Sequence, residues 1–203
     1  MTTAFNLDIH NAGIDGKILA SLERVSQAFR VLLWNESKEY SLSPIQVQVL
    51  VFLLHHAAPM RKVSYLADEF NITRASISDT IKSLERKALI YKEVIQNDTR
   101  SFVMHLTPKG MALAKRISLF ANHILSPIEQ MSESEKESFL FNLLNIIHYL
   151  NKAGIITIQR MCFTCQHYQH GKNKNSHYCK LLNTRLSEKD LRIDCPEHIM
   201  SSQ

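Results

Sequence analysis

The sequence lacks any run of about 18 uncharged apolar residues, so it predicts no membrane-spanning helix. Its first residues form neither a basic leader nor an apolar core, which predicts no signal peptide and favours a cytoplasmic location. It contains no internal repeat, and its serines and histidines form no nucleophile motif. Its carboxylates are dispersed along the chain. We therefore expect a protein that is not an enzyme.

Cysteine is absent from the first 161 residues, and all four cysteines lie between positions 162 and 195. This change in cysteine content predicts a domain boundary near Gly154. We expect an irregular N-terminus at residues 1–14, a main domain at 15–152 and a cysteine-rich module at 155–203. The net charge of +5 permits a nucleic-acid partner but is too small to indicate one.

Residues 63–86 have the pattern of two short helices joined by a tight turn. Residues 63–70 carry apolar side chains at helical spacing, and Asn71 tolerates the left-handed backbone that such a turn needs. Thr73 stands at the N-cap of the second helix. The apolar stripe of that helix consists of Ile77, Ile81, Leu84 and Ala88. The pattern predicts a helix-turn-helix, although an ordinary helical hairpin would look the same.

The opposite face of the second helix carries small, hydrogen-bonding and basic groups, which suit a DNA major groove. We predict that Ser76, Ser78, Asp79 and Lys82 lie in the major groove and that Arg74, Arg86 and Lys87 contact phosphate. Asp79 has two interpretations. It accepts a hydrogen bond from the exocyclic amine of cytosine, or it pairs within the helix with Lys82 or Arg86.

A β-hairpin is predicted directly after this helix. Residues 90–95 and 101–106 are strand-like, and residues 96–100 form a polar turn that ends in Arg100. A hairpin in this position is a wing, and its basic tip suits the narrow minor groove. Asp98 and Arg100 complete the predicted DNA-binding set, which otherwise comprises Thr73, Arg74, Ser76, Ser78, Asp79, Lys82 and Arg86.

Three ordered motifs in this part of the chain resemble the MarR family of bacterial winged-helix repressors. They are LERKALI at 84–90, DTRS at 98–101 and LTPKG at 106–110. They resemble the end of that family's recognition helix, its wing motif and its entry to the next helix. The resemblance covers about residues 15–152 and implies a winged helix at about 43–107. One departure is Ala88, which stands where the family usually has glycine and must therefore make the turn with less conformational freedom.

The remaining helices are predicted from their apolar spacing and caps. A first helix should run from Asp15 to about Tyr40, and Ser43 with Gln46 forms a capping box for a second. Thr107 should cap a helix that continues to about residue 125, and Ser132 should open a last one that ends before Gly154. That last helix is apolar on two sides, which suggests burial against a partner chain.

The resemblance implies a homodimer that interlocks its first and last two helices. A two-fold dimer presents two recognition helices about one DNA turn apart, so the target is expected to be an inverted repeat. The resemblance also permits a small-molecule effector, although no residue fixes one. The expected fold class is therefore mainly α with a small β wing, consisting of a winged helix-turn-helix, a helical dimerisation region and a small metal-stabilised C-terminal module.

The cysteine-rich module has too few apolar residues to be stable by burial alone. Cys162 and Cys165 form a C-x-x-C knuckle, and Cys179 and Cys195 complete a four-thiolate set. These four suit a structural zinc ion. An iron–sulfur cluster uses the same ligands, and metal-free redox thiols are a third interpretation. The nearby histidines are expected to be exposed to solvent rather than ligands.

The sequence as a whole predicts a homodimeric DNA-binding transcriptional regulator, a repressor in particular. Its module is either a passive brace or a sensor of metal or redox state. The alternative is a redox-active iron–sulfur metalloprotein that uses the helical part as a dimer scaffold. A third interpretation is a winged helix that makes only protein contacts.

Overall fold

The computed structural model describes residue 6 and residues 13–95, 98–171 and 176–201, without the side chains of residues 95 and 98–101. The helices in this part of the chain are α1 (Ile14–Glu39), α2 (Pro44–His55), α3 (Val63–Glu69), α4 (Arg74–Arg86), α5 (Pro108–Ile117), α6 (Asn122–Glu129) and α7 (Glu133–Lys152). The strands are β1 (Ile90–Ile95), β2 (Asp98–Leu106), β3 (Tyr168–His170), β4 (His177–Cys179) and β5 (Thr184–Leu186). A search of the described helices finds none with the length and hydropathy needed to cross a membrane.

Local capping interactions determine where several helices begin, as the sequence predicts. At α2, the Gln46 N–H donates to Ser43 Oγ at 3.3 Å, and the Ser43 N–H donates to the Gln46 side chain at 3.0 Å. Ser132 and Glu135 form the same reciprocal pair at the start of α7. Both predicted capping boxes are confirmed, because they depend only on residues three apart.

The main core joins α2, α4 and β2 beneath the predicted DNA-reading face. Its most buried side chains are Leu50, Leu66, Ile77, Ile81, Leu84 and Met104. A partly buried hydrogen bond from Gln46 Nε2 to Ser83 Oγ, 2.9 Å long, also joins α2 to α4. Because α4 is held from behind by apolar and polar contacts together, its front stays free of the core.

The two-stranded sheet of β1 and β2 is antiparallel, with Ile90 opposite Leu106 and Val94 opposite Phe102. The register shifts between Val94 and Ile95. The second strand begins at Asp98, earlier than the predicted start at residue 101. The prediction was wrong there because residues 98–101 are polar and show no apolar alternation, whereas the backbone of Asp98 still pairs with Ile95 across the register shift.

The region after the wing departs from the predicted single helix at residues 108–125. Helix α5 ends at Ile117, a 3₁₀ segment spans Ser118–Ala121, and α6 continues to Glu129. Pro127 lies inside α6 and does not end it. Proline cannot donate to the carbonyl four residues earlier, but this loss does not stop two further helical residues.

The cysteine module packs on α7 and forms a second, smaller core. Leu144 of α7 is buried with Met161 and Leu191, and Leu140, Phe141, Ile147, Phe163, Tyr168 and Leu186 pack around them. Part of the apolar surface of α7 that the sequence assigned to a partner chain is therefore covered by the chain's own module. Phe139, Ile146 and Tyr149 of the same helix remain exposed.

Candidate nucleic-acid interface

The exposed front of α4 consists of the residues predicted to face DNA. Arg74, Ser76, Asp79, Lys82 and Arg86 are exposed, and Ser78 is half-buried. The stripe behind them is confirmed for Ile77, Ile81 and Leu84, which are fully buried. Ala88 is not part of that stripe, because the helix ends at Arg86 and Ala88 is exposed. The helix therefore presents one polar surface, with two arginines and a lysine, to the solvent.

Two pairs of contacts modify the predicted roles on this surface. The Thr73 hydroxyl accepts from the Ser76 N–H at 3.1 Å and lies 2.9 Å from Ser76 Oγ, which confirms the N-cap. Lys82 Nζ lies 3.2 Å from Asp79 Oδ1, in a pair whose side chains are 65% and 77% exposed. The structure supports the intrahelical interpretation of Asp79. Such an exposed pair is weak, so Lys82 can leave it for a phosphate.

The turn after α4 is made without glycine. Asn71 before the helix and Ala88 after it both have left-handed backbones, with φ values of 53° and 55°. Thr107 stabilises the second turn, because its hydroxyl donates to the Ala88 carbonyl at 2.8 Å. The predicted departure at Ala88 is therefore real, and a hydrogen bond from the start of the next helix supports the turn.

The wing is joined to the back of α4 by a basic side chain. Lys92 Nζ donates to Glu85 at 2.7 Å and lies 5.0 Å from the centroid of the Phe102 ring. These contacts orient β1 and β2 relative to α4. The side chains of Asp98 and Arg100, both predicted to contact DNA, lie outside the described residues.

Comparison with known proteins shows which family this arrangement matches. The model of the MarR family matches residues 40–101, which span α2 to the wing. These residues have the winged-helix arrangement of the MarR family, to whose model they are similar. The cysteine residues, all C-terminal to position 161, lie outside the MarR match.

Solved structures similar to this chain include MarR-type regulators bound to DNA. The S. aureus MepR–DNA complex has 25% sequence identity and a TM-score of 0.56, and the match covers 64% of this chain and 96% of that one. MepR in its DNA-binding conformation has 23% identity and a TM-score of 0.58, covering 66% and 98%. The Streptococcus pneumoniae FabT–DNA complex has 22% identity and a TM-score of 0.57, covering 68% and 97%. The last two show the fold alone.

The four cysteines of the module are brought to one place by three separate segments. Cys162 and Cys165 lie on the 3₁₀ turn and just after it, Cys179 ends β4, and Cys195 lies in the C-terminal loop. All four are free thiols and line one cavity of about 30 Å³. As arranged, no group of three or more His, Cys, Asp or Glu side chains in the described ranges could hold a metal ion. Metal binding therefore remains a prediction.

The surroundings of Cys162 shift the pKa of its thiol in opposite directions. Burial raises its pKa, a hydrogen bond from the Arg192 N–H to Cys162 Sγ at 3.2 Å lowers it, and the other three cysteines raise it again. The net shift is upward. The other three sulfur atoms are thus close enough to Cys162 to influence its thiol electrostatically.

One histidine of the module differs from its predicted exposure to solvent. His177 is 1% exposed, packs against the rings of Phe141, Phe163 and Tyr168, and has its Nδ1 2.7 Å from the Tyr168 hydroxyl. The prediction was wrong because strand pairing in the small sheet turns this side chain toward α7. His177 is therefore part of the module's core.

Arg160 is the main polar residue that the sequence did not reveal. It is 4% exposed, and its guanidinium donates to Glu69 at 2.6 Å and to the Tyr65 hydroxyl at 2.8 Å, both on α3. It also donates to Asp194 at 2.5 Å and lies 3.2 Å from His56 Nε2 at the end of α2. Burial lowers the pKa of this guanidinium, but Glu69, Tyr65 and Asp194 outweigh burial, so the net shift is upward. Arg160 is therefore charged.

The link between α7 and the module lies against the turn of the helix-turn-helix. Thr157 Oγ1 donates to the Asp68 carbonyl, and Asn71 Nδ2 donates to the Ile155 carbonyl at 3.5 Å. Together with Arg160, these contacts join the module to the part of the winged-helix unit that positions α4. No local sequence pattern predicts them, since the partners are far apart in the chain.

Proposed function

We propose that this chain is a DNA-binding transcriptional regulator that acts as a homodimer, a repressor whose affinity for its operator responds to the cysteine module. One observation carries the proposal. The MarR match coincides with the helix whose exposed front carries Arg74, Lys82 and Arg86. In this interpretation α4 enters the major groove, and Arg100 of the wing contacts the minor groove.

The homodimer is proposed from the exposure of α1. Ile18, Val25 and Phe29 are 50%, 46% and 41% exposed, although they are spaced as one apolar stripe. Phe139 and Ile146 of α7 add further exposed apolar surface. Such surface is normally buried in an interface. A second copy of the chain would bury it by pairing α1 and α7 with their two-fold equivalents, and the operator would then be an inverted repeat.

The DNA-binding proposal is tested by the salt dependence of operator affinity. Arg74→Ala and Lys82→Ala are each expected to reduce the slope of log K against log salt concentration by about one unit, because each removes one phosphate-neutralising cation. Fluorescence anisotropy on a duplex selected by the wild-type protein measures this slope. The control is Lys152→Ala, which removes an exposed cation at the end of α7 and should leave the slope unchanged. Unchanged slopes in both α4 variants would reject α4 as the DNA-reading surface.

The dimer is tested by placing a charge in the apolar stripe of α1. Phe29→Glu is expected to give monomers at micromolar concentration, because the interface would have to bury an unpaired carboxylate. Light scattering coupled to size exclusion measures the mass. Gln27→Glu is the matched control, since residue 27 lies about 200° around the helix from residue 29 and already bonds Arg24 at 3.0 Å. If Phe29→Glu keeps the mass of the wild type, α1 is not in the interface.

The alternative, a redox metalloprotein with a helical scaffold, has no support in the comparisons. The matched residues 40–101 are those of the DNA-binding unit, and the cysteines lie outside them. A winged helix used only for protein contacts would fail to bind duplex DNA at every salt concentration, including the lowest. The same titration would reveal this failure.

A further inference from the structure

We propose that the four cysteines bind one zinc ion, and that this ion, acting through Asp194 and Arg160, fixes the helix-turn-helix in its DNA-binding position. The second part rests on the DNA binding proposed above. The metal site itself does not, since it depends only on the cysteine module.

The positions of the cysteines favour a single shared ligand. Three segments that are far apart in sequence bring four free thiols to the same cavity, which apolar burial alone does not require. The thiols do not yet form a ligand set. Cysteine side chains reach new positions by rotation about one bond, so an ion inside the cavity can draw the four sulfurs inward.

The four thiols supply the complete ligand set of one tetrahedral zinc ion, which needs neither bridging sulfide nor a second metal. An iron–sulfur cluster takes the same four ligands, so metal analysis separates the two.

Hydrogen bonds around the sulfurs suit bound thiolates. The Arg192 N–H donates to Cys162 Sγ at 3.2 Å, and Arg192 Nη1 lies 3.9 Å from Cys195 Sγ. Donors to the ligand sulfurs orient them and offset their negative charge, as partners outside the ligand shell do in other metal sites. The Arg192 carbonyl also accepts from the Cys162 N–H at 3.1 Å. The C-x-x-C knuckle is therefore hydrogen-bonded to the loop that contains Arg192 and Cys195.

A continuous set of contacts leads from this cavity to the DNA-reading unit. The Cys195 N–H donates to the Arg160 carbonyl at 2.9 Å, and the neighbouring Asp194 accepts from the Arg160 guanidinium at 2.5 Å. Arg160 in turn donates to Glu69 of α3 and lies next to His56, the C-cap of α2. An ion that holds Cys195 therefore also holds Asp194, and through Arg160 it fixes the first helix of the helix-turn-helix.

The direction of the effect follows from preorganisation. With zinc bound, α3 and the turn at Asn71 are held before DNA arrives, so binding does not have to order them. When zinc leaves, Asp194 is no longer fixed. Part of the free energy of DNA binding is then spent on ordering α3 and the turn at Asn71. Loss of zinc should therefore weaken operator binding, by about tenfold if the coupling is of ordinary size.

Metal analysis of the purified full chain tests the site. We expect about one zinc ion per chain, a colourless protein, and loss of the metal in Cys162→Ser and Cys195→Ser. A brown protein containing iron, or wild-type protein that contains no metal and takes up none when zinc is added, would overturn the assignment.

Operator binding tests the coupling, with the selected duplex as the probe. Removal of zinc by a chelator under reducing conditions should weaken operator binding by about tenfold. Added zinc should restore the affinity. Asp194→Asn should keep its zinc and yet bind about as weakly as the zinc-free wild type, because it loses the charge that holds Arg160. Asparagine tolerates the left-handed backbone of residue 194, where φ is 55°, so this variant is expected to fold.

Asp190→Asn is the matched control for the coupling. Asp190 also lines the cavity, but its carboxylate accepts from Ser187 rather than from Arg160. This variant should bind DNA as tightly as the wild type. Equal affinities of zinc-bound and zinc-free protein, or normal binding by Asp194→Asn, would overturn the coupling. If every form fails to bind DNA, the proposed function fails as well, while the zinc content still decides the metal site.

Discussion

Arg160→Met should destabilise the protein by about 3–5 kcal/mol, because it leaves the carboxylate of Glu69 in a largely buried position without its counter-charge. The Glu69 side chain is 17% exposed and that of Arg160 is 5% exposed, so water replaces little of the lost interaction. The Tyr65 hydroxyl would lose its donor at the same time. Chemical denaturation followed by circular dichroism measures the change in the free energy of unfolding.

A double variant separates the loss of the ion pair from the loss of packing. Arg160→Met combined with Glu69→Leu should recover most of the stability, since two apolar side chains can replace a buried ion pair without leaving a lone charge. Asp194→Asn should cost far less than Arg160→Met, because the Asp194 side chain is 57% exposed. If Arg160→Met is no less stable than Asp194→Asn, the buried pair is not what holds the module to α3.

Gly110→Ala should destabilise the winged helix by at least about 3 kcal/mol, the upper range for forcing atoms into a packed site. A Cβ atom at this position would lie 1.8 Å from the Leu89 carbonyl oxygen, which is backbone and cannot rotate away. That oxygen accepts from the Thr107 N–H at 3.0 Å, so α5 would have to move away from the start of β1. Thermal unfolding of the purified variant measures the loss.

Gly13→Ala is the matched control for this substitution. A Cβ at residue 13 would meet no atom of the described residues within 4 Å, and the backbone there is extended, with φ at −144°. Its effect should stay within about 1 kcal/mol, the range of a changed N-cap residue. Equal stability of the Gly110→Ala variant and the wild type would show that α5 does not approach Leu89 as closely as the structure places it.

The parts of the fold that follow from neighbouring residues could be predicted from the sequence. Thr73 caps α4, Ser132 with Glu135 opens α7, and Asn71 makes the tight turn, because each depends on side chains three or fewer positions from the backbone they serve. The exposed front of α4 follows in the same way from helical periodicity. The candidate site was therefore largely visible in one short stretch of sequence.

The parts that depend on distant residues could not be predicted in this way. Arg160 meets partners at positions 56, 65, 69 and 194, and no spacing rule connects them. The apolar residues of α7 were assigned to a partner chain because a sequence shows how much apolar surface a helix has but not what covers it. Pairing of β3 to β5 likewise decided that His177 is buried.

The position of Arg160, after the last helix of the main domain, has a consequence for shortened forms of the protein. The DNA-bound MepR structure matches 96% of its own length to only 64% of this chain, so more than a third of this chain lies outside that match. Here a chain cut after α7 would keep Glu69 on α3 but lose the arginine that pairs with it. A truncation that removes the module is therefore expected to destabilise the DNA-binding unit rather than leave it unchanged.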